Sequence, residues 1–412
     1  MDRRPEDDRP AARGPLAGLR VLELGQLIAG PFAARMLAEF GADVVKVEPP
    51  PDGASRGGDP LRTWRTLDAS GTSLWWSVQA RNKRSITVDL RRPEGQEVVR
   101  ALAARADVVV ENFRPGALEK WGLGYDALSR DNPGLVLVRL SGYGQDGPYR
   151  DRPGFGAIAE SMGGMRHVTG FPDRPPVRMN LSIGDSIAAL HAVIGALMAL
   201  HHRRESGRGQ VVDVALYEAV FNMMESTLPE FDRTGAVRER TGTALTGIVP
   251  SNTYPTADGG HVVIGGNGDS IFRRLMRAIG RDDLADDPAL AGNAGRAARA
   301  AELDAAIAAW TSARPLDECL RVLEAAEVPS GRIYSARDIA EDPHYAARGM
   351  VERATAADGT PLAVPGIVPK LSATPGATRW LGPALGAHTD EVLAELGFDA
   401  ERIAALRAAR AI

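Results

Sequence analysis

The stretch LRVLELGQLIAGPFAARMLAEFGADVVKVE, residues 19–48, decides the fold class. Leu19–Leu24 reads as a strand. Gly30-Pro31 opens a helix with Phe32, Met36, Leu37 and Phe40 on one face, and Gly41 stops it. Asp43–Val47 is a second strand, running into Glu48 and the triple Pro49-Pro50-Pro51. Strand, helix and strand in so short a span make a βαβ unit, and such a unit demands a parallel sheet.

The pattern continues through strands at Ser85–Leu90, Asp107–Glu111 and Leu135–Leu140 and a helix at Glu94–Ala104. The class is therefore α/β, with a doubly wound, Rossmann-like sheet over residues 16–200. The segment from Gly25 to Pro31 is not G-x-G-x-x-G and lacks the Lys-Ser/Thr of a P-loop, which argues against a nicotinamide enzyme. After the turn ESGRGQ, VVDVAL (211–216) begins another strand, and a helical stretch follows from Tyr217. Ser251–Gly266 reads as a hairpin around Asp258-Gly259-Gly260. With helices at Ser270–Gly280, Ala300–Ala313 and Leu316–Ala326 it makes a small α/β domain. Val328–Tyr334 is strand-like, and a helix from Thr389 ends the chain. The expected division is a disordered leader at 1–14, a large domain at 15–220, a small domain at 230–330, and a return linker with the rest of the large domain at 331–412.

Composition narrows the function. A chain of 412 residues with 44% hydrophobic and 25% charged residues suits a soluble globular protein with a large core. A net charge of −4, with no basic stripe carrying aromatics, argues against nucleic acid as a partner. The single cysteine, Cys319, fits a reducing cytoplasm and reads as a packed helix residue. The leader, MDRRPEDDRPAARG, is charged and Pro-rich and does not read as a secretory signal. No run is expected to reach transmembrane length, because His191 interrupts the most apolar helix. No His, Cys or Asp cluster has metal-ligand spacing, so no metal is expected.

That apolar helix lies in NLSIGDSIAALHAVIGALMAL (180–200), where Asp185 follows Gly184 and precedes the helix. Ile187, Leu190, Ile194, Leu197 and Met198 recur at helical spacing and predict its buried face. Asp185 thus falls at or next to the N-cap, where an aspartate is common without any chemistry. Its other reading is a carboxylate nucleophile.

Eight motifs weigh on that choice: PLAGLRVLELGQLIAGP (15–31), GADVVKVEPP (41–50), RNKRSITVDL (81–90), DVVVENFRPG (107–116), LSGYGQDGPY (140–149), GDSIAALHAVIGAL (184–197), SGRGQVVDVAL (206–216) and GAHTDEVLAELG (386–397). Together they resemble the class III CoA-transferases, the group that includes formyl-CoA transferase, carnitine CoA-transferase and α-methylacyl-CoA racemase. The resemblance covers nearly the whole chain. It implies a Rossmann-like large domain joined to a small α/β domain, in two open rings interlocked as a homodimer. It implies acyl-CoA:carboxylate CoA transfer, from a donor such as succinyl-CoA to a (di)carboxylic acid, through an aspartyl anhydride on Asp185. Coenzyme A thioester enters as substrate, with no permanently bound cofactor.

The resemblance further points to Lys83, Arg84, Asn112, Phe113 and Arg114 for CoA, with Gln26 and Ala29 near the thiol end. Gly265 and Gly266 match a glycine-rich loop over the active site, or else form an ordinary strand-to-helix turn. Arg152, Arg166 and Arg178 are candidates for a distal substrate carboxylate. The racemase branch carries a G-H-D stretch where this chain has Gly154-Phe155-Gly156, and Phe155 cannot move an α-proton. Gly156 also replaces an acid often found there in the transferases. The alternatives are a racemase or epimerase and a CoA-binding homologue without catalysis.

Overall fold

Six short strands build the sheet, all but β3 rich in Val and Leu: β1 (Arg20–Glu23), β2 (Asp43–Glu48), β3 (Lys83–Thr87), β4 (Val108–Glu111), β5 (Val136–Ser141) and β6 (Val211–Ala215). A computed structural model of the chain describes residues 14–53 and 55–412; apart from Gly14, the expected leader lies outside them. The strands run parallel in the order β3-β2-β1-β4-β5-β6. Val108, Val109, Leu135, Val136 and Leu137 are all fully buried, as continuous apolar runs are when helices cover both faces of a sheet. The α/β, Rossmann-like class is as the sequence implies.

On one face, Leu22, Leu24, Val45, Val47, Ile86, Val109 and Leu137 pack with Val98, Val99 and Leu102 of the helix Pro93–Ala103. Val392, Leu393, Ile403 and Leu406 complete that core from the C-terminal helices Thr389–Glu395 and Ala400–Ala408. The end of the chain therefore returns to the first domain.

The helix Ala29–Glu39 packs on the long helix Ile183–Ser206, which also lies along β5 and β6. Of the predicted buried stripe of the long helix, Ile187 is buried and the other four residues are not. Gly184, Ala188, Ala192, Ala196 and Ala199 face inward, while Leu190, Ile194, Leu197 and Met198 are exposed, Met198 by 67%. Close approach selects the small residues: a methyl on Gly195 would stand 2.5 Å from Val212 Cγ1. Hydrophobic periodicity finds the bulkiest stripe, and here the inward stripe is the small one. By length and composition this helix is apolar enough to cross a membrane, contrary to the expectation, since His191 alone does not lower its apolarity enough.

The described residues form two units, those up to residue 164 with 179–224 and 346–412 in one, and 165–178 with 225–345 in the other. In the second, β7 (Ser251–Pro255), β8 (His261–Gly265) and β9 (Ser330–Arg332) make an antiparallel sheet over a core of Tyr254, Val262, Ile264, Phe272, Leu275 and Ile307. The expected boundary at residue 331 cuts through β9. Pairing of β9 with β8 keeps that segment in the second unit.

Close packing of the alanine stripe predicts that Ala192→Leu lowers stability by about 1–3 kcal/mol through overpacking. Urea unfolding reads this directly, and an unchanged midpoint would contradict the buried assignment.

Candidate active site

Open parallel sheets bind ligands outside the carboxyl ends of their strands, where the strand order reverses. Here the reversal falls between β1 and β4, because the chain leaves β1 toward β2 and β4 toward β5. The loops that follow are tied together. The Gln26 N–H donates to Asn112 Oδ1 at 2.8 Å, and Asn112 Nδ2 donates back to the Gln26 carbonyl at 2.8 Å. Gly25 permits the approach, since a methyl there would lie 3.1 Å from Asn112 Oδ1.

Beside this tie a crevice opens, lined by Gln26, Pro49, Val88, Leu90, Arg91, Phe113 and Trp121 among others. Phe113 meets Trp121 edge to face, with ring centres 5.3 Å apart. One wall is thus aromatic and suited to a flat base. Arg91, paired with Asp89 at 2.9 and 3.0 Å and largely exposed, places a cation at the rim. Behind the wall, Glu111 accepts the Phe113 N–H at 2.7 Å and Arg139 Nε at 2.7 Å. Arg139 turns its remaining nitrogens to Glu119, at 2.7 and 3.2 Å. Burial pushes the Glu111 carboxyl up to about 7, against the pull of Arg139 and of the Phe113 N–H.

Asp185 approaches the same edge of the sheet. The long helix ends at Ser206, just before β6 begins at Val211, with Arg203 bonded to Asp107 at 2.8 Å. Its C-terminus therefore sits at the amino edge. Its first turn, roughly 36 Å away by helical rise, reaches past the carboxyl edge. Ser182 is the N-cap, so Asp185 is the third helical residue, three positions past the cap rather than at or next to it. Its carboxylate lies against Gly156, where a methyl would fall 2.0 Å from Oδ2. Any side chain at 156 would displace the carboxylate, which gives the glycine there a physical reason. A methyl on Gly184 would touch the Gly156 carbonyl at 3.0 Å and Cγ of the buried Glu160 at 3.2 Å. Phe155 is 70% exposed.

A family profile described as CoA-transferase family III matches residues 16–389. The chain belongs to CoA-transferase family III. It is 52% identical to the succinyl-CoA–D-citramalate CoA-transferase of Chloroflexus aurantiacus over 97% of this chain and 98% of that one. It is 44% identical to the beta subunit of the succinyl-CoA–L-malate CoA-transferase of the same organism, with the same coverage. The crystal structure of a CAIB/BAIF family protein from Brucella suis superposes with a TM-score of 0.80 at 35% identity, covering 93% of this chain and 100% of that one.

Within this family III CoA-transferase, the residues expected to hold CoA separate into two groups. Gln26, Asn112 and Phe113 come together at the crevice, with Arg114 exposed on the next turn. Ala29, the first residue of its helix, is buried. Lys83 and Arg84 form the second group and do not join them at the crevice. The Lys83 ammonium is buried, 2.7 Å from Glu23 Oε2 and donating to the Pro31 carbonyl at 2.7 Å. Burial pushes it down to about 8, with Glu23 opposing and the charge of Lys46 adding to the shift. Arg84 is spent on Asp43, Glu391 and Glu395, at 2.6 to 3.1 Å. A basic pair before a strand resembles a phosphate site in sequence, but here β3 carries it inward.

Gly265 and Gly266 form the strand-to-helix turn after β8, in the second unit. Their N–H groups donate to Pro329 and Pro250 carbonyls at 2.9 and 2.8 Å. The buried Arg296 holds the next carbonyl, of Asn267, at 2.7 Å. A methyl on Gly266 would strike Leu275 at 2.5 Å, so packing alone accounts for that glycine. Of the candidate arginines, Arg152 lies over the Tyr149 ring at 3.6 Å, while Arg166 and Arg178 belong to the second unit. Among the described residues, no three acidic, His or Cys side chains form a metal-holding group.

Sequence reasoning missed Arg91, although two arginines directly after a strand end were a signal. It also missed Glu160 and Asp59, which carry no motif.

A carboxyl raised by burial holds its proton more tightly in the folded chain than in the unfolded one. The contribution of Glu111 to stability is therefore full below its ordinary value of 4.5 and is lost as the pH rises through about 7. Glu111→Gln should gain stability relative to the unmodified chain between about pH 5 and about pH 8 in urea unfolding. A constant or opposite difference would contradict the shift.

Proposed function

We propose that this CoA-transferase moves CoA from succinyl-CoA to a 2-hydroxy dicarboxylic acid of the citramalate and malate type, with Asp185 as nucleophile. The observation that carries the reading is the Asp185 carboxylate lodged against Gly156 in the first turn of the long helix, at the carboxyl edge of the sheet. The two relatives named above support the donor and the acceptor class.

The chemistry conserves the thioester energy at each step. The Asp185 carboxylate attacks the succinyl carbonyl and the C–S bond breaks, giving a mixed anhydride and CoA thiolate. The thiolate attacks the aspartyl carbonyl and releases succinate, leaving CoA on Asp185 as a thioester. The acceptor carboxylate attacks that carbonyl, again forming an anhydride and free thiolate. The thiolate then takes the acceptor acyl group, and Asp185 returns as a carboxylate. Amides of the first helical turn favour the negative charge carried at each tetrahedral stage. The crevice suits CoA, with Phe113 and Trp121 beside the base and Arg91 near the phosphates. Phe155 has no proton to exchange, which disfavours the racemase.

The exposed stripe Leu190, Ile194, Leu197 and Met198 supports a homodimer in which a second copy covers it. The buried, unpaired thiol of Cys319 fits a cytoplasmic setting.

Asp185→Ala should lower transfer by about 10³-fold or more. With succinyl-CoA and hydroxylamine, the native chain should gain a hydroxamate at Asp185 that the variant lacks. Transfer by the variant near the native rate would overturn the nucleophile. Equal use of monocarboxylate and 2-hydroxy dicarboxylate acceptors would overturn the substrate class.

A further inference from the structure

Between β1 and the helix Ala29–Glu39, Leu27 has φ 63°, a left-handed conformation that suits glycine and strains a leucine. The group that holds it lies 32 positions along the chain. Asp59, 1% exposed, accepts the Leu27 N–H on both oxygens at 3.1 Å and the Leu61 N–H at 2.9 Å. Lys46 Nζ sits 2.9 Å from Asp59 and donates to the Gly25 carbonyl and to Glu23, each at 2.8 Å. Lys83 closes the set, from the other oxygen of Glu23 to the Pro31 carbonyl.

Two backbone atoms of one short loop, and a third in the first turn of the helix that follows it, are thus gripped by buried charged groups from outside the loop. An apolar cluster of similar volume would pack at less cost than four buried charges. What such a cluster cannot do is fix polar backbone atoms at set points. The gripped loop is the one that carries Gln26 to the crevice and ties it to Asn112.

We propose that Asp59 is a positioning residue: with Lys46 it holds Leu27 in its strained conformation, so that Gln26 stays in register at the mouth of the crevice. This rests on the reading that the crevice takes the acyl-CoA. Burial opposes the charge on both partners, yet Lys46 with the Leu61 and Leu27 N–H groups together holds the Asp59 carboxyl low, and Asp59, Glu23 and Glu48 together hold the Lys46 ammonium high.

The test uses the full chain. Asp59→Ala should lower kcat/KM for succinyl-CoA by about 10- to 100-fold per folded molecule. Adding Leu27→Gly to that variant removes the strain that Asp59 no longer balances, and should recover about threefold or more. A double variant no better than Asp59→Ala would overturn the proposal, as would a folded Asp59→Ala with native kinetics. If Asp59→Ala does not fold, hydrogen exchange of the native chain decides. The Leu27 amide should exchange at least about a hundredfold more slowly than in an open peptide, and exchange at the open rate would overturn the proposal. Exchange does not depend on activity. A protected Leu27 amide in a chain whose Asp185→Ala variant still transfers would sink the covalent reading and leave the positioning role standing.

Discussion

The structure turns on one constraint, that β1 and β4 are neighbours whose chains depart in opposite directions. Parallel strands hydrogen-bond only to each other, so nothing in the sheet closes the gap between the loops that leave them. The Gln26–Asn112 pair bridges that gap, and both of its bonds use backbone atoms of Gln26. The crevice exists because the loops part beyond this tie. A Rossmann-like sheet without a glycine fingerprint can thus still present a ligand site at its reversal point.

Both walls are fixed by ions buried beneath them. The buried Glu111 and Arg139, the latter also paired with the exposed Glu119, stand behind the Phe113 loop, while Glu23, Lys46, Asp59 and Lys83 stand behind the Gly25–Pro31 segment. Ions in a core cost stability unless paired, and these are paired in chains that end on backbone atoms of the site loops. The arrangement exchanges some stability of the sheet for fixed loop geometry.

Much of the fold was legible in the sequence because it rests on local signals. Alternating strand and helix patterns, the stops at Gly41 and Gly207, and the Asp258-Gly259-Gly260 turn each depend on neighbouring residues. Asp185, Gln26, Asn112 and Phe113 were visible through motifs. What the sequence hid was set by tertiary contact. The alanine stripe of the long helix is inward because its partners come too close for leucine. Lys83 and Arg84 look like phosphate ligands until β3 turns one into the core and pairs the other with three carboxylates. Asp59 could not be singled out, since its partners lie at positions 27 and 46 and no spacing rule connects them.

The central claim is that Asp185 itself carries the acyl and CoA groups during transfer. Its most direct test is turnover with an acceptor labelled with oxygen-18 in its carboxylates, followed by mass analysis of the peptide that contains Asp185. When the thiolate takes the acceptor acyl group from the anhydride, one acceptor oxygen must remain on the aspartate. Label is expected in the Asp185 side chain after turnover. Full transfer of CoA with no label in that peptide would contradict it.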